Sequence, residues 1–191
     1  MTPTIKELEE KLKDTGSIDD ALVLLLAKQR VKLSRPNIKP SASPVTIVSG
    51  PPGSGKSTWV KERAGPNDLI IDLDDIKSRL SGLPAHQAGD KWSAPALAER
   101  NRILASLSNS KHNRVWLVIG APKASERQWW KDTLGAEETI VLETPHDMCA
   151  ERIDSDNQRG VRKHDHKAWM NKWFDNYTAD ETDTIVRGDN S

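Results

Sequence analysis

The chain has 191 residues and sets 28 Lys and Arg against 28 Asp and Glu, so it is formally uncharged at pH 7. That balance argues against a protein that coats nucleic acid by bulk electrostatics, while leaving room for a local basic face. Cys149 is the only cysteine, which excludes an internal disulfide framework and a cysteine-cluster zinc site. The longest apolar run, 21–27, falls far short of the ~20 residues of a membrane helix. It follows an acidic, helix-like segment rather than a basic start, which argues against a signal peptide. These features fit a soluble protein of a reducing compartment such as the cytoplasm, with no membrane contact.

Residues 4–33 read as one or two helices. Ile5, Leu8, Leu12 and then Ile18, Leu22, Leu25, Leu26 fall at helical spacings on either side of a Thr15-Gly16-Ser17 break. Ser17 suits an N-cap, with Asp19 and Asp20 in the first turn, where the helix dipole favours acids. Lys28, Arg30, Lys32, Arg35 and Lys39 follow with no acid among them, and the Pro- and Ser-rich stretch 34–44 reads as a linker. This pattern predicts an N-terminal helical arm and linker over 1–43, and a separate domain over 44–191.

Beyond the linker, short apolar runs alternate with helical periods. Strands are expected at 45–49, 69–73, 115–119, 139–142 and, less regular, 184–187. Helices are expected at 56–64, 75–80, 94–107, 125–134, 147–156 and 166–177. Such alternation predicts an α/β fold with right-handed crossovers, a parallel sheet of four to five strands, and helices on both faces. Ligands of such sheets gather beyond the carboxyl ends of the strands.

The first strand runs into Gly50-Pro51-Pro52-Gly53-Ser54-Gly55-Lys56-Ser57, a full match to the P-loop pattern G-x-x-x-x-G-K-[ST]. Gly50, Gly53 and Gly55 let the backbone close into a nest of N–H groups around phosphate oxygens, with Ser54 and Thr58 in the same run. Lys56 is placed to reach the β- and γ-phosphates of ATP, and the Ser57 hydroxyl to ligate Mg²⁺. With the strand before it and the helix after it, the motif predicts a three-layer P-loop NTPase fold that binds an NTP, and the kinase-type reading of that fold rests on the residues that follow.

The acids sharpen this. Asp72, Asp74 and Asp75 lie at the end of the second strand, whereas the third strand ends in Gly120-Ala121-Pro122 without a carboxylate. An acid at the end of strand two can face an acceptor hydroxyl, as phosphoryl transfer requires. Asp74 is the candidate for accepting that proton, helped by Asp72 or Asp75 through Mg²⁺ or a hydrogen bond. The competing role for Asp74 or Asp75 is to cap the next helix. Arg159, Arg162 and Lys163, with Arg152 one helix earlier, suit a basic lid around 157–164 that closes over ATP. Interleaved Asp154, Asp156 and Asp165 also allow a plain solvated surface there.

The five histidines show no metal spacing, and His164 and His166 read as surface residues. Cys149 reads as a core thiol. Seven Trp against one Phe and one Tyr make the aromatic content almost wholly indole. Packing accounts for most of them, and Trp92, in the loop after the acidic turn, is the candidate for stacking on a base.

At GPPGSGKSTW followed by DLDDIKSRL, the chain resembles the bacteriophage polynucleotide kinase family of P-loop kinases, over about residues 45–175. The resemblance implies that Lys56 and Ser57 serve phosphate and Mg²⁺, and that Asp74 activates a 5′-hydroxyl. It also implies that the pair Arg159-Gly160 belongs to the lid, and that Lys77 stands where the family has an acceptor-binding Arg. A lysine there lacks the bidentate fork of arginine. The expected function is ATP- and Mg²⁺-dependent transfer to the 5′-end of DNA or RNA, in a host cytoplasm if the gene is carried by a phage. A nucleoside or nucleotide kinase is the first alternative. A non-kinase P-loop ATPase, meeting a protein partner or a second copy through its N-terminal arm, is the second.

Overall fold

The computed structural model describes residues 38–84, 86–157, 159 and 163–187, and only Glu7, Glu9, Glu10 and Lys13 before them. The chain divides into two units, Met1–Asn37 and Ile38–Ser191. The predicted helical arm and most of the basic stretch 28–39 lie outside the described residues. Among the described residues no helix is long and apolar enough to cross a membrane.

The second unit alternates strand and helix. Its strands are β1 (Val45–Ser49), β2 (Leu69–Asp72), β3 (Val115–Ile119), β4 (Glu138–Glu143) and β5 (Thr184–Arg187). Its α-helices are α1 (Lys56–Lys61), α2 (Leu73–Ser81), α3 (Ser93–Ser106), α4 (Ala124–Leu134), α5 (His146–Ser155) and α6 (Lys163–Asn176). The strands form one sheet in the order β2-β3-β1-β4-β5, with every neighbouring pair parallel. The expected architecture is therefore the observed one, with the fifth strand at an edge.

Alternation along the central strand explains the layers. Val45 and Ile47 point into one core with Ile71, Leu117, Ile76, Leu104 and Leu134, which α2, α3 and α4 cover. Val48 points into the other, with Val60, Trp116, Val118, Ile140 and Leu142. A strand buried on both faces must be apolar at nearly every position, and β1, VTIVS, is buried throughout. A smaller cluster of Cys149, Ile153 and Met170 joins α5 to α6. The end of the Pro/Ser stretch runs along this domain: Ser41 N–H donates to the Leu134 carbonyl (2.9 Å) and Ala42 N–H to that of Leu107 (2.8 Å).

Two helix starts differ from expectation. The helix α2 begins at Leu73 rather than 75, because the Asp72 carboxylate caps it by accepting the Asp74 N–H at 2.9 Å. Asp74 and Asp75 thus occupy its first turn, where the dipole favours them. The helix α6 begins at Lys163 rather than 166.

One buried ion pair fixes the turn after β3. Arg127, 1% exposed on α4, donates through Nε to Asp183 Oδ2 at 2.8 Å, and Asp183 is only 3% exposed. Its remaining N–H groups reach the carbonyls of Pro122 (2.7 Å), Ala121 (3.1 Å) and Thr178 (2.6 Å). The turn Gly120-Ala121-Pro122 carries no polar side chains, and its carbonyls are satisfied from α4 and from Ser49 and Trp173. Arg127→Ala is expected to destabilise the fold by about 3–5 kcal/mol, because it strands the Asp183 charge in the interior. Urea denaturation checks this; an unchanged midpoint would mean that Asp183 finds water or another cation.

Candidate active site

The P-loop joins β1 to α1, and its backbone shows why glycine is required. Gly53 has φ +82°, and a Cβ there would lie 2.5 Å from the Cys149 carbonyl oxygen of α5. Gly55, the N-cap of α1, has φ +89°. The loop is held from behind: the Ser54 carbonyl accepts from Thr144 Oγ1 (3.1 Å) and from Arg152 Nη1 (3.3 Å). Arg152, grouped with the lid in the sequence, therefore supports the cradle. The Cys149 thiol is buried in the same packing, and burial pushes it up to about 11, too high to act as a nucleophile at neutral pH.

Lys56 donates from Nζ to the Pro51 carbonyl at 2.7 Å and to Ser54 Oγ at 3.4 Å, which folds the ammonium over the loop. Burial pulls it down to about 8, against the opposing pull of Asp72 and Asp74. Ser57 Oγ donates to Asp72 Oδ2 at 2.5 Å. Asp72 is 5% exposed, and burial raises its carboxyl above the ordinary range despite the Ser57 hydrogen bond. A buried carboxylate joined to the P-loop serine is a fitting donor set for Mg²⁺, which binds through few protein oxygens beside phosphates. Among the described residues no group of three His, Cys, Asp or Glu is arranged to hold a metal. Asp75 instead pairs with Lys61 at 3.0 Å on the exposed side of the helix. Of the two proposed helpers, only Asp72 lies toward the cradle. Gly50 closes β1, and Thr58 is exposed on α1.

Beyond β2 lies a recess lined by Asp74, Lys77, His86, Ala88, His166 and Trp169. Asp74 and Lys77, paired in the sequence as acceptor residues, both face it. Burial raises the Asp74 carboxyl, but the neighbouring His86, with Lys77 and His166, outweighs it and brings it to about 2. Asp74 is therefore a carboxylate at any physiological pH. The rings of His86 and His166 meet edge to face at 5.6 Å, and those of His166 and Trp169 at 5.2 Å.

Three of these residues escaped the sequence. His166 is buried rather than at the surface, because α6 starts early and turns it inward beside His86. Trp169 is 46% exposed, the most open large apolar side chain among the described residues, and it lines the recess. Trp92, the sequence's stacking candidate, is held in the single turn Asp90–Trp92 with Lys91 5.8 Å from its ring. His86 carried no motif. Arg159 pairs with Asp156 at 2.9 Å and approaches His86, while Arg162 and Gly160 lie outside the described residues.

A parallel sheet with a P-loop after its first strand and a carboxylate recess after its second defines a P-loop kinase-type nucleotide-binding protein. The chain belongs to the AAA domain family AAA_33, whose model matches residues 45–179. Among solved structures it is similar to a gluconokinase from Sinorhizobium meliloti 1021, at 20% identity and TM-score 0.46, over 77% of this chain and 83% of that one. It is similar to shikimate kinase from Acinetobacter baumannii at 17% identity and TM-score 0.48, over 79% and 87% of the two chains. A chain of the Pnkp1/Rnl/Hen1 RNA repair complex matches at 19% identity and TM-score 0.50, over 72% of this chain and 47% of that one. No curated protein matches the sequence.

Proposed function

We propose that this protein is an ATP- and Mg²⁺-dependent kinase whose acceptor is the 5′-hydroxyl of a nucleic acid. The observation that carries the reading is the lining of the recess, where Asp74, Lys77 and Trp169 stand together. A 5′-terminal nucleotide offers a hydroxyl, a phosphate on its 3′ side and a flat base. A carboxylate, an ammonium and an indole face are the groups that bind these three.

When bound, ATP supplies the γ-phosphoryl group and Mg²⁺ offsets the charge on its oxygens. Gly50, Gly53, Ser54, Gly55 and Lys56 hold the phosphates, Thr58 continues the run, and Ser57 with Asp72 holds the metal. Asp74 orients the acceptor hydroxyl and takes its proton as the new P–O bond forms. Lys77 neutralises the acceptor's phosphate, and Arg159, with Arg162, meets the charge on the transferring group. The reaction belongs in the cytoplasm, where ATP and the acceptor meet, and the N-terminal arm is left for a partner or a second copy.

Incubation with γ-labelled ATP and 5′-hydroxyl DNA and RNA oligonucleotides tests the reading, with a mononucleoside and a sugar alongside. Label on the oligonucleotides supports it. Label on the nucleoside or sugar alone would make the protein a small-molecule kinase, and free phosphate alone an ATPase. Trp169→Ala is expected to raise the acceptor KM roughly tenfold while leaving the ATP KM unchanged, since a stacked base contributes about 1–3 kcal/mol. A rise confined to ATP would move Trp169 to the nucleotide side.

A further inference from the structure

Among the groups of the recess that the reading above leaves without a role, His86 touches the most chemistry. It lies in the loop between α2 and α3, and its backbone is unusual. With φ +66°, it is the only non-glycine residue with positive φ among the described residues. A side chain with a Cβ is strained there and persists only where its surroundings hold it. What holds it is visible at both ring nitrogens. Nδ1 lies 3.4 Å from Asp74 Oδ2, and Nε2 lies 3.5 Å from Arg159 Nη2. The ring also packs on His166, and the side chain is only 21% exposed.

We infer that His86 is a positioning residue that ties the acceptor-side carboxylate Asp74 to Arg159 on the nucleotide side. The inference rests on the assignment of Asp74 to the acceptor. A guanidinium only donates, so Nε2 must accept from Arg159, and the ring proton is left on Nδ1, 3.4 Å from Asp74 Oδ2 and short of a hydrogen bond there. Arg159 is itself anchored by Asp156 at 2.9 Å. The chain Asp156–Arg159–His86–Asp74 thus sets the tautomer of the imidazole and leaves its proton within reach of one oxygen of Asp74. The other oxygen is left for the acceptor hydroxyl. The two ring contacts are long, as is common for catalytic hydrogen bonds before substrates tighten them. The strained backbone is the means by which a loop residue, separated from Arg159 by 73 positions, is held between the two groups.

The tautomer is open to direct measurement without any acceptor. Nitrogen-15 NMR of the full chain is expected to show His86 with its proton on Nδ1, and Arg159→Ala is expected to shift it toward Nε2. An Nε2-protonated ring in the wild type, or one indifferent to Arg159→Ala, overturns the link. Kinetics supply the second arm. His86→Gly relieves the positive φ, so the variant is expected to melt no lower than wild type. Its kcat is expected to fall roughly ten- to a hundredfold with the ATP KM little changed. His86→Asn, which tolerates the same backbone and can still donate to Asp74, is expected to recover part of kcat. A His86→Gly protein with wild-type kcat overturns the role. If the wild type labels no oligonucleotide, the acceptor reading fails, and the NMR result still decides the link.

Discussion

Lys56→Ala is expected to reduce ATP-dependent phosphoryl transfer by roughly a hundred- to a thousandfold while the chain still folds. The two halves of this outcome have separate physical origins. In the P-loop, the ammonium lies against the Pro51 carbonyl at 2.7 Å, above a backbone closed by Gly53 and Gly55. It is the fixed cation of the cradle, where charge on the transferring group is greatest, and preorganised charges of this kind are worth about 10²–10³-fold each. Arg152 does not replace it, because it is committed to the Ser54 carbonyl. Folding is spared because the ammonium is desolvated, which is why it is drawn down to about 8. A buried charge held below its ordinary pKa is a cost to the native state at neutral pH, and alanine removes that cost. Label transfer and thermal melting, measured on one preparation, separate the two. A Lys56→Ala protein that transfers phosphate at the wild-type rate would dissolve the assignment of the cradle, whereas one that fails to fold would contradict the desolvation argument.

What the sequence disclosed and what it withheld follow from the range of the interactions involved. The P-loop was legible because its function is local. Eight consecutive residues make the nest, and positive φ at Gly53 and Gly55 demands glycine at those places. The sheet was legible because β1 and β3 are buried on both faces and therefore read as unbroken apolar runs. Asp74 was singled out by its place at the end of the second strand and Lys77 by the resemblance, and one turn of α2 brings both to the recess. The start of α2 was misplaced because Asp72 has two uses, capping the helix through one oxygen and meeting Ser57 through the other. His86, His166 and Trp169 were missed for a different reason. They come from a loop and a distant helix, and only the packing of α5 and α6 brings them to Asp74. No spacing rule records such a meeting, nor the partnership of Arg127 with Asp183. The indole excess was rightly read as mostly packing. Trp59 meets Trp116 edge to face at 6.1 Å, and Trp173 stacks on Tyr177 at 4.8 Å. The exception is Trp169, and exposure rather than sequence position distinguishes it.

Asp74→Asn is expected to leave nucleotide binding near wild type while kcat falls by about 10²–10⁴-fold, the usual worth of a positioned proton acceptor. It is also expected to cost some stability, since a carboxylate held below its ordinary pKa supports the native state at neutral pH. The substitution keeps the shape of the side chain and the backbone N–H that Asp72 accepts, so the helix start survives. What it removes is the anionic oxygen that orients the hydroxyl and receives its proton. A carboxyl brought to about 2 is a weak base, so under the proposed function Asp74 is expected to take the proton late, once the bond to phosphorus has largely formed. That timing has a consequence for pH. A carboxylate whose pKa is depressed keeps its charge above its ordinary value and loses it only as pH falls through about 2. The wild-type rate is therefore expected to show no acidic limb from Asp74 between pH 5 and 8. A wild-type profile with a carboxylate limb in that window would place the proton acceptor elsewhere. An Asp74→Asn enzyme that kept its kcat would remove Asp74 from the chemistry and leave it as a helix-start acid.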